Sequence, residues 1–238
     1  MLLRENIQII SNLKYSLYDN FENLIYPPVD TYPNQVRSDV KKYLNNLNSG
    51  ISVGRFELNS FHQIRDNNFF RLSVGLFEEM FGGSGIEYLY YPQDSLVGIG
   101  LEAFYVKKRG YSLNHQFLNY ENTFFRSNIQ VIEPKTNINL KLSYGEYLAG
   151  DIGYTLELSR LFRNGVEFGV FYSDTNVSPE LFGEGSFDKG IKLTIPFSFL
   201  GDNNSLGKYT WRPLTKDPAA LLVKSIDLID EVRKYRKP

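Results

Sequence analysis

The sequence predicts an all-β fold: an antiparallel meander of about ten strands forming all or part of a membrane β-barrel, plus a short C-terminal helix. Three observations carry this. Apolar and polar residues alternate with a period of two through most of the first 200 positions. The alternating runs are each near the ~10 residues of a tilted membrane-spanning strand, and turn signals separate them. Apart from one short stretch and the C-terminal tail, helical periodicity is absent.

Ile7, Ile9, Leu13, Tyr15 and Leu17 alternate with Gln8, Asn12, Lys14 and Ser16 as a first strand. From Asp19 to Asn48 the pattern lapses, and Pro27, Pro28 and Pro33 mark a long loop. Within it Val36, Val40, Tyr43, Leu44 and Leu47 recur at helical spacing, so a short helix is expected there. Strands follow at Ile51 to Ile64 and Phe69 to Phe77. Phe81-Gly82-Gly83-Ser84-Gly85 reads as an interruption, with Ile86 to Tyr91 resuming. Leu96 to Val106 has Val97, Ile99, Leu101, Ala103 and Tyr105 on one face and Gly98, Gly100 and Glu102 on the other. Lys107 to Asn114 reads as a polar loop, then Phe117 to Ile132 as a longer strand. Two clean strands run Ile138 to Tyr144 and Ile152 to Leu158, and Arg163-Asn164-Gly165 signals a tight hairpin into Val166 to Tyr172. The last strand is faultless: Ile191, Leu193, Ile195, Phe197 and Phe199 against Lys192, Thr194, Pro196 and Ser198.

Alternation does not say which side is wet, and a lipocalin-like soluble barrel alternates too. The polar face carries Arg71, Glu102, Lys141, Glu157, Glu167 and Lys192 beside many Gly and Ser. A water-filled lumen accounts for both the charges and the small residues, whereas a solvated outer face leaves the Gly unexplained. Tyr15, Tyr105, Tyr144 and Tyr172 fall near strand ends on the apolar face, as in an aromatic girdle. The membrane barrel is the preferred reading.

The expected organisation is a barrel domain over 1–200, with a helix-containing loop at 19–49, and a linker with a C-terminal amphipathic helix over 201–238. Thr215 or Asp217 can cap a helix that starts at Pro218. Leu222, Ile226, Ile229 and Val232 form its apolar stripe, and the basic Arg233 to Lys237 complements its C-terminus. Too short and charged to span a bilayer, it must dock on a partner, on its own chain or in a lumen. Met1 to Asn6 shows neither an apolar core nor a cleavage site, so an exported chain is expected to be mature or partial.

A net charge of −1 argues against nucleic acid as a partner. The absence of Cys excludes a disulfide scaffold, a thiolate metal site and a Cys nucleophile. The Gly-rich Phe81–Gly85 lacks the Gly-Lys-Ser/Thr ending of a phosphate loop. Glu78 with Glu79, or Glu184 with Asp188, can be imagined as a glycosidase pair, but acidic residues at strand ends are ordinarily solvated. His62 near Ser60 or Ser73 is the corresponding hydrolase arrangement, with nothing selecting either Ser. His62 and His115, the only His, make no metal site. No catalytic, cofactor-binding or metal residue is assigned, and no cofactor is expected.

Four blocks stand out in order: Glu79-Met80-Phe81-Gly82-Gly83-Ser84-Gly85 leading into Glu87 and Tyr90; Gly145-Glu146-Tyr147-Leu148-Ala149-Gly150-Asp151; Phe182-Gly183-Glu184-Gly185-Ser186-Phe187-Asp188-Lys189-Gly190; and Trp211-Arg212-Pro213-Leu214-Thr215-Lys216-Asp217. With these, Val36 to Thr215 resembles the C-terminal part of the YjbH-type outer-membrane lipoproteins of exopolysaccharide and group 4 capsule operons. The motif residues are Gly82, Gly83, Gly150, Asp151, Gly183, Gly185, Phe187, Asp188, Gly190, Trp211 and Pro213. The resemblance implies an outer-membrane β-barrel serving surface-polysaccharide assembly or export. Family members are several hundred residues longer and begin with a lipid-bearing Cys, so a truncated product, a fragment or a separately supplied barrel half is expected here. Lipid anchoring is not carried over.

The expectation is therefore a non-enzymatic component of exopolysaccharide or capsule biosynthesis and secretion in the cell outer membrane. Its lumen, lined by Arg71, Glu102, Lys141, Glu146, Glu157 and Lys192, would bind or conduct glycan, although these charges can equally pair with one another and fill the barrel. Expected partners are outer-membrane lipid, polysaccharide and periplasmic polysaccharide-export proteins. The alternatives are an assembly scaffold that docks those export partners through the tail and, further off, an outer-membrane hydrolase. Asp188 to Ile195 also looks like a terminal-strand signal for barrel insertion, with Phe199 at the periplasmic rim.

Overall fold

The computed structural model of the chain describes residues 7–23, 32–47, 50–182, 187–196, 208–211 and 216–235. Eleven strands form one antiparallel sheet in which each pairs with the next in sequence. They are β1 (Ile7–Tyr15), β2 (Ile51–Arg65), β3 (Asn68–Leu76), β4 (Phe81–Tyr90), β5 (Val97–Arg109), β6 (Phe117–Glu133), β7 (Ile138–Glu146), β8 (Ile152–Leu161), β9 (Glu167–Thr175), β10 (Asp188–Pro196) and β11 (Lys208–Trp211). Among the described residues α-helix is confined to α1 (Val40–Asn45), α2 (Pro179–Phe182) and α3 (Leu228–Tyr235), with one 3-10 turn at Phe21–Asn23. Among the described residues β1 and β11 have one neighbour each and do not pair together, so the sheet is all or part of a barrel.

The two faces are as the alternation requires, and the burial is inverted relative to a soluble protein. The apolar face is exposed: Leu72, Val74, Leu101, Ile129, Leu142, Leu156, Leu158 and Val170 are each 41–53% accessible. The polar face is buried, with Glu57, Asn59, Arg71, Glu87 and Arg126 at 5% or less. Register sets like against like, Leu142 facing Leu156 and Tyr144 facing Tyr154, while Lys141 faces Glu157 on the other side. Tyr154 also packs on Tyr172 at 6.0 Å, and Phe70 on Tyr88 at 4.9 Å near the opposite strand ends.

The sheet curls around residues 217–235. Gln8 of β1 donates to Glu231 at 3.2 Å and Lys141 of β7 pairs with Asp227 at 2.7 Å. Asp227 and Glu231 are one helical turn apart, joined by a backbone bond of 3.1 Å. A flat sheet would separate β1 from β7 by six strand spacings, roughly 29 Å. One turn of helix reaches both only because the polar face is concave.

Apolar clusters pack the tail against the sheet at both ends. At the rim carrying the β1–β2, β3–β4, β5–β6 and β7–β8 connections (the loop rim), Val36, Tyr43, Phe77, Phe81, Phe104 and Leu148 pack with Ala220. Arg109 ties this rim together by donating to the carbonyls of Val53, Gly54, Glu78, Leu113 and Asn114. At the other rim, where Asn164-Gly165 turns with Gly165 at φ +82° as its sequence requires, Phe61, Phe69, Leu89, Tyr91 and Ile132 pack on Leu228, Ile229 and Val232.

Several expectations need correction. Phe81–Gly85 is no interruption but the first half of β4. A Cβ on Gly85 would lie 2.2 Å from the Phe104 ring, so this glycine makes room for an aromatic in the loop-rim core. The polar loop at Lys107 starts later, because β5 runs on to Arg109. An eleventh strand occupies Lys208–Trp211, too short for its alternation to register in the sequence. It pairs with β10, so β10 is not the terminal strand. The helix expected from Val36 to Leu47 is Val40–Asn45, and the one expected from Pro218 begins at Leu228. Phe197 and Phe199 lie outside the described residues.

Candidate functional site

The site is the polar interior together with the tail that runs through it. The tail enters at the loop rim. Asp217 accepts three backbone N–H bonds through Oδ1, from Val36 at 2.7 Å, Arg37 at 2.8 Å and Ser38 at 3.1 Å. Asp151 accepts the Ala219 N–H at 2.7 Å, and Leu148 donates to the Ala220 carbonyl at 2.9 Å. The Gly145–Asp151 block thus holds the tail at Ala219 and Ala220, just beyond Asp217, where it turns inward. Burial pushes the Asp151 carboxyl above the usual carboxylate range. Burial, then the hydrogen bond to Asp39, lifts Tyr111 to about 12, and burial with the charge of Asp39 raises Tyr43 as well.

Beyond Ala220 the tail stays non-helical as far as Asp227 because arginines of the wall and of the β1–β2 loop take its carbonyls. Arg37 donates to Leu221 O at 2.8 Å, Arg55 to Val223 O at 2.9 Å and Arg71 to Ile226 O at 3.0 Å. In a helix these carbonyls would accept from the amides four residues on. Side chains along the same stretch form ion pairs and one further hydrogen bond. Lys224 bridges Glu87 and Glu102, the latter at 2.6 Å; Ser225 donates to Glu57 at 2.8 Å; Asp227 accepts from Lys141 at 2.7 Å. Arg71 also pairs with Glu87. Such pairs add little net stability, but they are costly to break singly and they fix one register.

The tail leans on the β2–β5 wall and leaves a cavity of about 640 Å³ toward β6–β11. Lys192 bridges Glu157 at 3.1 Å and Glu167 at 3.6 Å there, and the Thr194 and Thr210 hydroxyls are 3.0 Å apart. Asn128 and Ser143 line the same space.

Five of the six expected interior residues, Arg71, Glu102, Lys141, Glu157 and Lys192, thus stand on the concave face in ion pairs. Glu146 lies where β7 meets the loop rim, its carbonyl accepting from Arg126 at 3.3 Å. Gly82 and Gly83 are in β4, Gly150 and Asp151 in the β7–β8 loop, and Asp188 and Gly190 in β10. Phe187 packs on Tyr172 at 4.9 Å, and Trp211 is on the exposed apolar face of β11. Gly183, Glu184, Gly185 and Pro213 lie outside the described residues. Ser60 and His62 are in hydrogen-bond contact at 2.8 Å but on the exposed apolar face, while Ser73 is buried on the other. Glu78 and Glu79 pair with Arg37 and Lys14. No cluster of metal-ligating side chains occurs among the described residues.

Arg126, Lys224 and Asp227 are interior charges that the sequence reading did not propose, and Glu87, named there within the first block, was not placed in the interior. Glu87 and Arg126 carry the same period-two signal as their neighbours and were legible in principle. Lys224 and Asp227 were not, because their segment was read as helical.

A curved antiparallel meander, apolar outside and charged inside around its own C-terminal segment, defines a barrel-forming class of protein. The family described as exopolysaccharide biosynthesis protein YbjH matches residues 1–234, and the chain belongs to this YjbH family. It is 33% identical over 186 residues to the uncharacterized lipoprotein YjbH of Escherichia coli (strain K12). That match covers 76% of this chain and 27% of the relative, so the chain spans about a quarter of that protein's length. No solved structure matches the chain.

Proposed function

We propose that the chain is a non-enzymatic outer-membrane β-barrel component of exopolysaccharide or capsule biosynthesis and secretion, with glycan contacting its polar interior. The observation that carries this is the inverted burial. A continuous band of Leu, Ile and Val is exposed, while Arg71, Glu87 and Arg126 are inside. In water the band would drive association, whereas in a bilayer it is the required surface. The family's description supplies the process, and the relative's name as a lipoprotein supports the envelope. By the usual pattern of longer outer loops and short inner turns, the loop rim faces out of the cell and the Asn164-Gly165 rim faces the periplasm.

The interior is occupied by the tail, which favours a closed rather than an open pore in this state. It also bears on the scaffold reading. Residues 216–235 are engaged with the wall, so periplasmic export proteins would have to meet the inner rim rather than a free tail.

The test places Arg on the exposed face. Leu142→Arg with Leu156→Arg is expected to cost about 2–4 kcal/mol per site at mid-membrane and to abolish both outer-membrane recovery and polysaccharide secretion in a complemented deletion strain. Normal fractionation and secretion by this variant would refute the reading.

A further inference from the structure

We propose that the cavity between the tail and the β6–β11 wall is a binding site for a short run of neutral sugar residues, with the tail as one of its walls. This rests on the glycan-contacting reading above and adds where the glycan sits and what charge it carries.

The size fits. About 640 Å³ lies within the ~300–1,000 Å³ typical of small-ligand sites. The chemistry fits hydroxyl-rich rings better than apolar or anionic ligands. Asn128 and Ser143 face the space with side chains that make no hydrogen bond to another described residue, and Thr194 and Thr210 present a hydroxyl pair. Gly100 makes room for the amide, since a Cβ there would lie 2.6 Å from Asn128 Nδ2. Each of these side chains can both give and take a hydrogen bond, as a sugar hydroxyl requires.

Charge then selects among glycans. The lining has seven carboxylates against five cations. Every one of those cations is already held: Lys192 by Glu157 and Glu167, Lys141 by Asp227, Lys224 and Arg126 by Glu102, and Arg37 by Glu78. An anionic sugar would meet net negative potential and would have to break a partly buried pair to gain a cation. A neutral sugar leaves the pairs intact and donates its hydroxyls to carboxylate oxygens, which have about four acceptor positions each. The Glu157–Lys192–Glu167 bridge is the part best placed for this, because it stands on the wall opposite the tail.

The test measures equilibrium binding to the purified full chain in detergent by titration calorimetry. The neutral probes are maltohexaose and cellohexaose, and the acidic probe is hexagalacturonate. At least one neutral probe is expected to bind saturably, with the acidic one weaker by about tenfold or more. Ser143→Tyr fills the cavity and should abolish neutral binding. Glu167→Gln removes one partner of Lys192 and should strengthen acidic binding several-fold. Heat-modifiable migration on gels checks that both variants remain folded. Acidic binding equal to or tighter than neutral, neutral binding untouched by Ser143→Tyr, or no binding by the folded wild type would each overturn the proposal. Those results leave the outer-membrane reading standing, because membrane fractionation and secretion by the Leu142→Arg, Leu156→Arg variant test it separately.

Discussion

Arg71 is 1% exposed and carries a full charge, a placement that survives only with dedicated partners. Glu87 and the Ile226 carbonyl supply them. Arg71→Ala strands the carboxylate beside Lys224 alone, and we expect a loss of about 3 kcal/mol in denaturant unfolding from detergent. Gly98 has the opposite role, since it matters by lacking a side chain. A Cβ there would lie 2.7 Å from Ile229 Cδ1, so Gly98→Ala should loosen the tail helix, and adding Ile229→Ala should restore protease resistance across 216–235. At this scale the sequence told which face a residue occupies. Period two put Arg71, Lys141 and Lys192 inward and Leu142 and Val170 outward, and all five stand there. It did not tell which charge meets which, because partners such as Lys224 lie more than a hundred residues away in sequence.

The tail is the element where local signals failed most clearly. Leu222, Ile226, Ile229 and Val232 have helical spacing, yet only Leu228 onward is helical. Carbonyl acceptors upstream are claimed by Arg37 of the β1–β2 loop and by the wall arginines Arg55 and Arg71, and Ala219 takes a left-handed conformation at φ +62° as the chain enters. Tertiary hydrogen bonds outweigh propensity here, since each bond from a charged donor contributes roughly 1.5–3 kcal/mol against about 0.7 kcal/mol or less of propensity per residue. Strands β4 and β11 erred for smaller reasons: glycines that serve packing looked like a break, and four residues are too few to show a period. If the tail is a plug held by ion pairs, Lys224→Ala with Asp227→Ala should convert a quiet barrel into one with frequent ion-conducting openings in planar bilayers. Unchanged quiescence with the barrel inserted would show that these pairs do not hold the interior closed.

At the scale of the whole molecule the burial is inverted, charges inside and an apolar band outside, and the proposed bilayer setting rests on that inversion. The meander and its two faces were legible because alternation acts over every strand at once. Closure was not, since it depends on pairing at β1 and β11 rather than on any pattern within a strand. The chain has no Cys, so any introduced thiol is unique. Single cysteines placed in turn at Leu140, Lys141, Leu142, Ser143 and Tyr144 along β7, in chain reconstituted into lipid vesicles, test the claim most directly. The account predicts that a water-soluble maleimide labels positions 141 and 143, entering through the cavity, and that 140 and 142 react only with a lipid-soluble one. Rapid labelling of 140 and 142 by the water-soluble reagent would contradict it and put the apolar face in water.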